Sequence, residues 1–98
     1  MKHRVVLSDS AVSDINEIFD YILAEAGERI AREYVGRMRD FLQRLDLFPH
    51  RGTLINSESN LRSVGYERRA TVVFRVEHAQ VTILRVFHRG RNIELDEI

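Results

Sequence analysis

Polar side chains near the end of the chain, in the segment LRVFHRGRNIE (84–94), have the chemistry needed to act on a phosphate. Guanidinium groups neutralise phosphate charge, and a histidine can protonate a leaving oxygen. Cleavage of a phosphodiester by a neighbouring hydroxyl would also need a base for the hydroxyl proton. The candidates are Arg85, His88, Arg89 and Arg91. Because no carboxylate is obviously placed as the base, the same residues also predict a surface that binds an acidic partner.

Basic residues are unevenly distributed along a chain whose net charge is zero. Fourteen of the fifteen are arginine, and Lys2 is the only lysine. Between residues 61 and 91, seven arginines stand against Glu67 and Glu77, a local charge of 7 − 2 = +5. The rigid donor fork of arginine suits carboxylates, phosphates and interfaces. Two interpretations remain open: an ordinary solvated surface, or a surface shaped for an acidic partner.

Composition argues against several classes of site. A chain without cysteine has no disulfide, thiolate nucleophile or cysteine zinc site. Its four histidines lack metal-ligand spacing and there is no glycine-rich phosphate loop, so we expect no metal and no cofactor. No apolar run approaches the ~20 residues that span a bilayer, and no signal-peptide core follows Met1. We therefore expect one cytoplasmic domain over residues 1–98, without membrane contact.

Two amphipathic helices are predicted in the first half of the chain. Ser8 is the expected N-cap of the first and Gly27 its C-terminal stop. The second extends from about Glu28 to Leu47, before Pro49. The short connection between them predicts an antiparallel hairpin. The apolar stripe of the first helix comprises Val12, Ile15, Ile18, Phe19, Ile22 and Leu23.

Charged residues are expected on the other faces of these helices. Asp14 lies off the apolar stripe of the first helix. In the second helix, Glu28 with Arg32 and Glu33 with Arg37 are spaced for ion pairs, each worth about 0.2–0.5 kcal/mol. The arginines of this helix therefore have predicted local partners.

Strands are predicted around this hairpin. His3–Leu7 is a plausible first strand, and the polar stretch 56–60 is expected to be a loop. The period then changes to two over residues 61–66, 70–77 and 80–87, which predicts a three-strand antiparallel meander. The fold class is therefore α+β, a helical hairpin packed on a small sheet. In the last strand, Leu84 and Val86 are expected to face the helices, with Phe87 and His88 on the binding surface.

The last two predicted strands are apolar on both faces, and a helical hairpin covers only one. Either the tail Ile93–Ile98 folds over the other face, or a partner segment does. Arg75 and Arg85 interrupt these strands, where they would pair with Asp14, Glu17 or Glu77, or anchor acidic residues of a partner. Tyr21, Arg68 and Arg69 are further candidates, since tyrosine and arginine are enriched in interface hot spots.

The order of elements and several motifs together resemble the RelE/ParE family of toxins from bacterial toxin–antitoxin pairs, and the ParE branch in particular. The resemblance extends over essentially the whole chain. The residues that carry it are Ser8, Ala11, Asp14, Ile18, Tyr21 and Ile22, then Phe48, Pro49 and Gly52, then Leu61, Arg62, 65–69 and 73–76, and finally 81–87 with Gly90 and Arg91.

This resemblance implies a toxin of a type II toxin–antitoxin module. ParE-type toxins bind DNA gyrase and are held inactive by a ParD-like antitoxin, in a hetero-oligomer. Because the DNA-binding domain belongs to the antitoxin, no direct sequence-specific DNA binding by this chain is expected. The alternative is a RelE-type endoribonuclease that cuts messenger RNA on the ribosome. A third possibility is a decayed relative that is only a binding module in a repressor complex.

The nuclease alternative assigns catalysis to His88, Arg85 and Arg91. Nuclease relatives carry a histidine near the end of the last strand, but also an arginine where this chain has Thr71, and a C-terminal tyrosine that it lacks. The ParE-like interpretation assigns no catalytic residue. It predicts a partner-binding surface formed by Tyr21, Arg68, Arg69, Arg75, Arg85, Phe87, His88, Arg89 and Arg91.

Overall fold

The computed structural model describes residues 3–88 of the chain. The elements in chain order are β1 (Arg4–Leu7), α1 (Asp9–Ala26), α2 (Glu28–Gln43), a 3₁₀ helix (Arg44–Asp46), β2 (Thr53–Asn56), β3 (Leu61–Tyr66), β4 (Ala70–Glu77) and β5 (Gln80–His88). The strands form one sheet in the order β1-β5-β4-β3-β2, in which β1 is parallel to β5 and the other neighbours are antiparallel. The predicted α+β class, with a hairpin on a small sheet, is confirmed.

Both predicted ends of α1 are confirmed. The Ser8 hydroxyl accepts a hydrogen bond from the Ala11 N–H at 3.0 Å, and Gly27, at φ 92°, donates its N–H to the Leu23 carbonyl at 3.0 Å. The α2 helix, however, ends at Gln43 rather than near Leu47. Its continuation over three residues is a 3₁₀ turn, because the tighter winding gives partners to terminal backbone groups.

The main core lies between the hairpin and one face of the sheet. The inward positions of α1 are Ala11, Ile15, Ile18 and Ile22, which pack with residues of α2, β4 and β5. Val12 and Leu23 from the predicted stripe are 44% and 41% exposed, so the buried face is rotated relative to the prediction. Because α1 contacts α2 and β5 together, the small Ala11 and the polar Asp14 are drawn inward.

The strand β2 was not predicted. It is short, lies at the sheet edge, and pairs with β3 through Thr53 opposite Ser63 and Asn56 opposite Leu61, with a bulge between. Gly52 comes just before β2, at φ 83°, and its backbone lies close to β3. A Cβ atom at this position would lie 2.2 Å from the Ser63 carbonyl oxygen. The predicted three-strand meander is therefore extended by a fourth strand, which depends on pairing rather than on an alternating pattern.

A bulge in β5 decides which side chains reach each face of the sheet. Arg85 pairs with Val73 but Ile83 pairs with Phe74, so Leu84 is an extra residue. Val86 therefore faces the helices, as predicted. Leu84 does not; it packs on the other face with Leu61, Val73 and Phe87.

Phe87 is 2% exposed and packs in this second cluster, so its ring lies beneath the sheet surface, and its predicted role in partner binding stays a prediction. The tail Ile93–Ile98, which was expected either to cover this face or to leave it to a partner, lies outside the described residues. No helix within residues 3–88 is long and apolar enough to cross a membrane.

Candidate functional site

Two adjoining depressions of about 380 and 360 Å³ lie where the hairpin meets the β3–β4 turn and the end of β5. They share Ile22, Ile30 and Arg69, and we name them together the hairpin depression. Its remaining walls include Tyr21, Glu25, Tyr34, Arg37, Arg68 and His88. Four of the predicted binding residues, Tyr21, Arg68, Arg69 and His88, are therefore brought together here.

Aromatic rings form one side of the hairpin depression. The ring of His88 lies 5.9 Å from that of Tyr21 and 5.8 Å from that of Tyr34, both edge-on. Tyr34 lies 5.8 Å from Tyr66, which contacts Phe41. The hydroxyl of Tyr34 and Nε2 of His88 are buried without a hydrogen-bond partner among residues 3–88. Such groups carry a desolvation cost that a bound polar group would remove.

An ion pair lines the same depression beside the Tyr34 ring. Arg37 donates from Nε and Nη2 to the two carboxylate oxygens of Glu67, at 2.9 and 3.1 Å. The predicted partner of Arg37, Glu33, is bound instead by Arg29 at 3.2 Å, so that prediction was wrong, whereas the pair of Glu28 with Arg32 is confirmed. Arg37 points away from Glu33 because the β3–β4 turn places the Glu67 carboxylate beside α2, where both of its oxygens can accept from the guanidinium.

The turn that carries Glu67 has an uncommon backbone. Glu67 and Arg68 adopt φ angles of 49° and 59°, and the Arg69 N–H donates to the Tyr66 carbonyl at 3.1 Å. This is the geometry of a tight hairpin turn that favours asparagine and glycine. A glutamate and an arginine hold it here, and both side chains lie at the depression. Unfavourable turn residues are concentrated at functional sites in proteins, which supports a role for this turn.

Burial and neighbouring charges set the protonation states in the depression. The Arg37 guanidinium lowers the pKa of Glu67 to about 2. Burial, and then the Glu67 carboxylate, raise the pKa of Tyr66 to about 12 and also raise the pKa of Tyr34. Burial, and then Arg69, lower the pKa of His88 from 6.5. Near pH 7 the depression therefore has an ionised Glu67, a neutral imidazole and neutral phenols.

Arg85 has a different environment. Its guanidinium donates to both Asp14 oxygens at 2.8 and 3.0 Å, and lies 4.8 Å from the centre of the Phe87 ring. Of the partners predicted for the strand arginines, Asp14 is thus the one that binds Arg85. Arg75 lies on the sheet face away from the helices, partly buried, with Nε lacking a hydrogen-bond partner among residues 3–88. Arg89 and Arg91 lie outside the described residues.

Two residues of the nuclease alternative, Arg85 and His88, have different partners, and the third, Arg91, lies outside the described residues. Arg85 is held by Asp14, whereas the His88 ring lies between Tyr21 and Tyr34 under the hairpin. Within residues 3–88, no group of three or more potential ligands is placed to hold a metal.

Three residues that line the depression, Tyr34, Arg37 and Glu67, were not predicted as site residues. Tyr34 was assigned to the apolar core, and Arg37 to a local ion pair. The pair of Arg37 with Glu67 joins positions 30 apart, and no periodic pattern indicates such a contact. The available signal was the Glu67-Arg68 dipeptide, which is an unusual choice for a tight turn between two strands.

Comparison with known proteins decides the family. The family model described as the ParE toxin of the type II toxin–antitoxin system, parDE, matches residues 5–93. This chain belongs to the ParE toxin family. Its assignment as a toxin of a type II toxin–antitoxin system agrees with the resemblance carried by its motifs. Among curated proteins, none matches it.

Solved structures support the fold of this ParE-family chain. A chain of the chromosomal ParDE system from P. aeruginosa is similar, with a TM-score of 0.78 and 19% identity over 91% of this chain and 98% of that one. A chain of the Mycobacterium tuberculosis RelBE2 toxin–antitoxin complex has a TM-score of 0.57 and 22% identity, covering 91% and 100% of the two chains. A conserved hypothetical protein from Helicobacter pylori reaches 0.51 and 19%, covering 90% and 94%.

Proposed function

We propose that this ParE-family toxin acts in the cytoplasm by binding DNA gyrase, without an enzymatic activity of its own, and that a ParD-like antitoxin neutralises it. The family match over residues 5–93 carries the proposal. The site geometry supports binding rather than cleavage, because Arg85 is occupied by Asp14 and burial disfavours the charged form of His88. A general acid for RNA cleavage would have to be protonated at working pH.

The predicted binding residues support this proposal unequally. Tyr21, Arg68, Arg69 and His88 share the hairpin depression, whose mixture of aromatic and guanidinium groups is typical of interface anchors. Arg75 remains a candidate on the opposite face of the sheet. Because the Phe87 ring is buried, it would contribute to such a surface by packing beneath it rather than by contacting the partner.

Two assays on the same purified protein test the proposal. In a gyrase reaction with relaxed plasmid, we expect loss of supercoiling and accumulation of cleaved DNA. In a translating-ribosome reaction, we expect intact messenger RNA. Codon-specific cuts in the message with unaffected gyrase would establish the RelE-type activity instead. Normal growth on expression of the chain alone would indicate a binding module without toxicity.

A matched pair of variants locates the surface. Arg69→Gln removes a guanidinium from the hairpin depression, whereas Arg29→Gln removes one that is 75% exposed on α2 and paired with Glu33. We expect about a ten-fold loss of gyrase inhibition from the first, as for an interface hot spot, and little change from the second. Equal effects would place the gyrase contact outside the depression.

A further inference from the structure

We propose that the hairpin depression is a carboxylate-binding site, and that its occupant is an acidic side chain, next to an apolar one, of the neutralising antitoxin. The identity of the occupant rests on the proposed function, whereas the carboxylate chemistry does not. Within residues 3–88, buried donors without a partner, arginines without a paired carboxylate and an exposed apolar side chain lie together at this place.

The donors come from three elements. Tyr34, 3% exposed, brings a hydroxyl from α2, and His88 brings Nε2 from β5. Arg69 brings a guanidinium from the β3–β4 turn and lines both halves of the depression. A carboxylate offers about four lone-pair positions on two oxygens, and it accepts from phenol, imidazole and guanidinium groups alike. Occupancy would satisfy two atoms that are buried without a partner among residues 3–88.

The charge balance of the walls indicates how much negative charge the site accepts. Among residues 3–88, three arginines (Arg37, Arg68, Arg69) and three glutamates (Glu25, Glu33, Glu67) line the depression. Glu33 is bound by Arg29 and Glu67 by Arg37, which leaves two arginines against Glu25. The remaining excess of one positive charge fits a single carboxylate. It disfavours a nucleic-acid backbone, whose binding depends on many uncompensated cations.

The apolar part of the depression indicates what accompanies the carboxylate. Ile22 and Ile30 are shared by both halves, and the Ile30 side chain is 37% exposed. A free small anion would leave this surface in contact with water. A polypeptide segment with an acidic and an aliphatic side chain would cover it, and burial of apolar area would add to the binding free energy.

An antitoxin fits this occupant better than a transient target does. Neutralisation requires a long-lived complex, and such complexes are anchored by tyrosine and arginine in pockets that exclude water. The side chains of the hairpin depression have that character. A covered Arg69 would also be withdrawn from the proposed gyrase surface, so one segment would both bind and inactivate the toxin.

The first experiment tests the carboxylate site without any partner. The probe is sodium 4-methylpentanoate, a carboxylate with an aliphatic tail, added to the isotope-labelled protein while the His88 ring is followed by NMR; inorganic phosphate is the comparison. We expect a saturable shift of His88 with 4-methylpentanoate and a pKa of His88 that rises on binding, since a nearby carboxylate favours the imidazolium. The absence of a saturable shift, or a larger response to phosphate, would overturn the site.

Variants separate binding at this place from nonspecific effects. Tyr34→Phe removes only a buried hydroxyl and keeps the ring packing, so it is expected to remain folded. We expect Tyr34→Phe and Arg69→Gln each to weaken probe binding by about ten-fold or more, the size of a lost hydrogen bond to a charged group. Arg29→Gln should bind like the original protein. Uniform affinity across all three variants would contradict the assignment.

The second experiment tests the occupant with the polypeptide encoded beside this chain. Its dissociation constant is measured against the same three variants. A loss of about ten-fold or more with Arg69→Gln, but not with Arg29→Gln, would support the antitoxin as the occupant. If the polypeptide neutralises the toxin and binds the Arg69→Gln and Tyr34→Phe variants as tightly as the original protein, the antitoxin is not the occupant of the depression. The proposed toxin function would be unaffected by that result. Probe binding without a neutralising polypeptide would instead contradict the proposed function.

Discussion

Asp14 and Arg85 form a two-pronged ion pair that joins α1 to β5, with N–O distances of 2.8 and 3.0 Å, and Asp14 also accepts the Val86 N–H at 2.8 Å. Strand β1 pairs with β5 only as far as Ile83. Beyond that point α1 and its N-cap supply the partners: the Ser8 hydroxyl donates to the Leu84 carbonyl, and the Asp14 carboxylate accepts from the Val86 N–H. Next to the bulge in β5, α1 and its N-cap therefore take the place of a neighbouring strand as hydrogen-bond partners.

Replacing Asp14 by asparagine should destabilise the fold strongly. Both partners are largely buried, with side chains 14% and 9% exposed, so Arg85 would keep a charge without a counterion. Breaking such a pair typically costs about 3–5 kcal/mol of unfolding free energy, measurable by urea denaturation. Glu33→Gln breaks an exposed pair and should cost under about 1 kcal/mol. Similar losses in the two variants would mean that Asp14 is not structurally special.

Gly52→Ala should destabilise the protein, since the new methyl group would meet the Ser63 carbonyl 2.2 Å away in a left-handed backbone. We expect a loss of about 1–3 kcal/mol and weaker protection of the β2 amides in hydrogen exchange. Gly36→Ala is the matched control, because it lies in α2 with nothing within 4 Å of the added atom. It should stabilise by about 0.5–1 kcal/mol. An unchanged free energy of unfolding in Gly52→Ala would show that β2 can shift away from β3 without cost.

Arg68→Gly should raise stability while it removes part of the hairpin depression. Its φ of 59° is unfavourable for arginine and natural for glycine, so relief of about 1 kcal/mol is expected in thermal or urea unfolding. Ala79→Gly relieves the same kind of strain at φ 61° in the β4–β5 turn. Both variants should be more stable, but only the first should bind 4-methylpentanoate more weakly. Equal probe affinities would remove Arg68 from the site.

The ion pair of Glu67 with Arg37 should contribute to acid sensitivity. The pKa of Glu67 falls from 4.5 to about 2 in the folded state because of Arg37. A lowered carboxyl pKa means that the unfolded chain binds the proton first, so this contribution is present above pH 4.5 and is lost as the pH falls toward 2. Solvent keeps it small, since the two side chains are 54% and 38% exposed. Glu67→Gln should flatten the unfolding free energy over this range, and an unchanged profile would contradict the pairing.

Arg69→Gln should raise the pKa of His88, measured by NMR titration of its ring. Burial and the positive charge of Arg69 both disfavour the imidazolium, and the substitution removes the second cause only. The pKa should therefore stay below 6.5. In the original protein, stability should fall as the pH drops below 6.5, because the unfolded state then takes up the proton more readily. If the variant left the pKa of His88 unchanged, the Arg69 guanidinium would have to lie too far from the imidazole to affect it.

Much of the fold could be predicted because local physics decides it. The Ser8 cap, the Gly27 stop and the change of period from helix to strand are properties of neighbouring residues. The same holds for the family motifs, which are read in order along the chain. The gathering of Tyr21, Arg68, Arg69 and His88 could be proposed only as a set of binding residues, without their common place.

The sequence by itself therefore determined the order of the elements, the ends of the first helix and the family. Only the tertiary structure decided that Arg37 binds Glu67, that Asp14 is buried against Arg85, and that an extra residue at Leu84 turns Phe87 into the sheet's second cluster. These contacts join positions 30 to 71 residues apart, or depend on the register of one strand against another. Neither kind of information lies in local spacing, because many chain conformations with the same helices and strands would bring different side chains together.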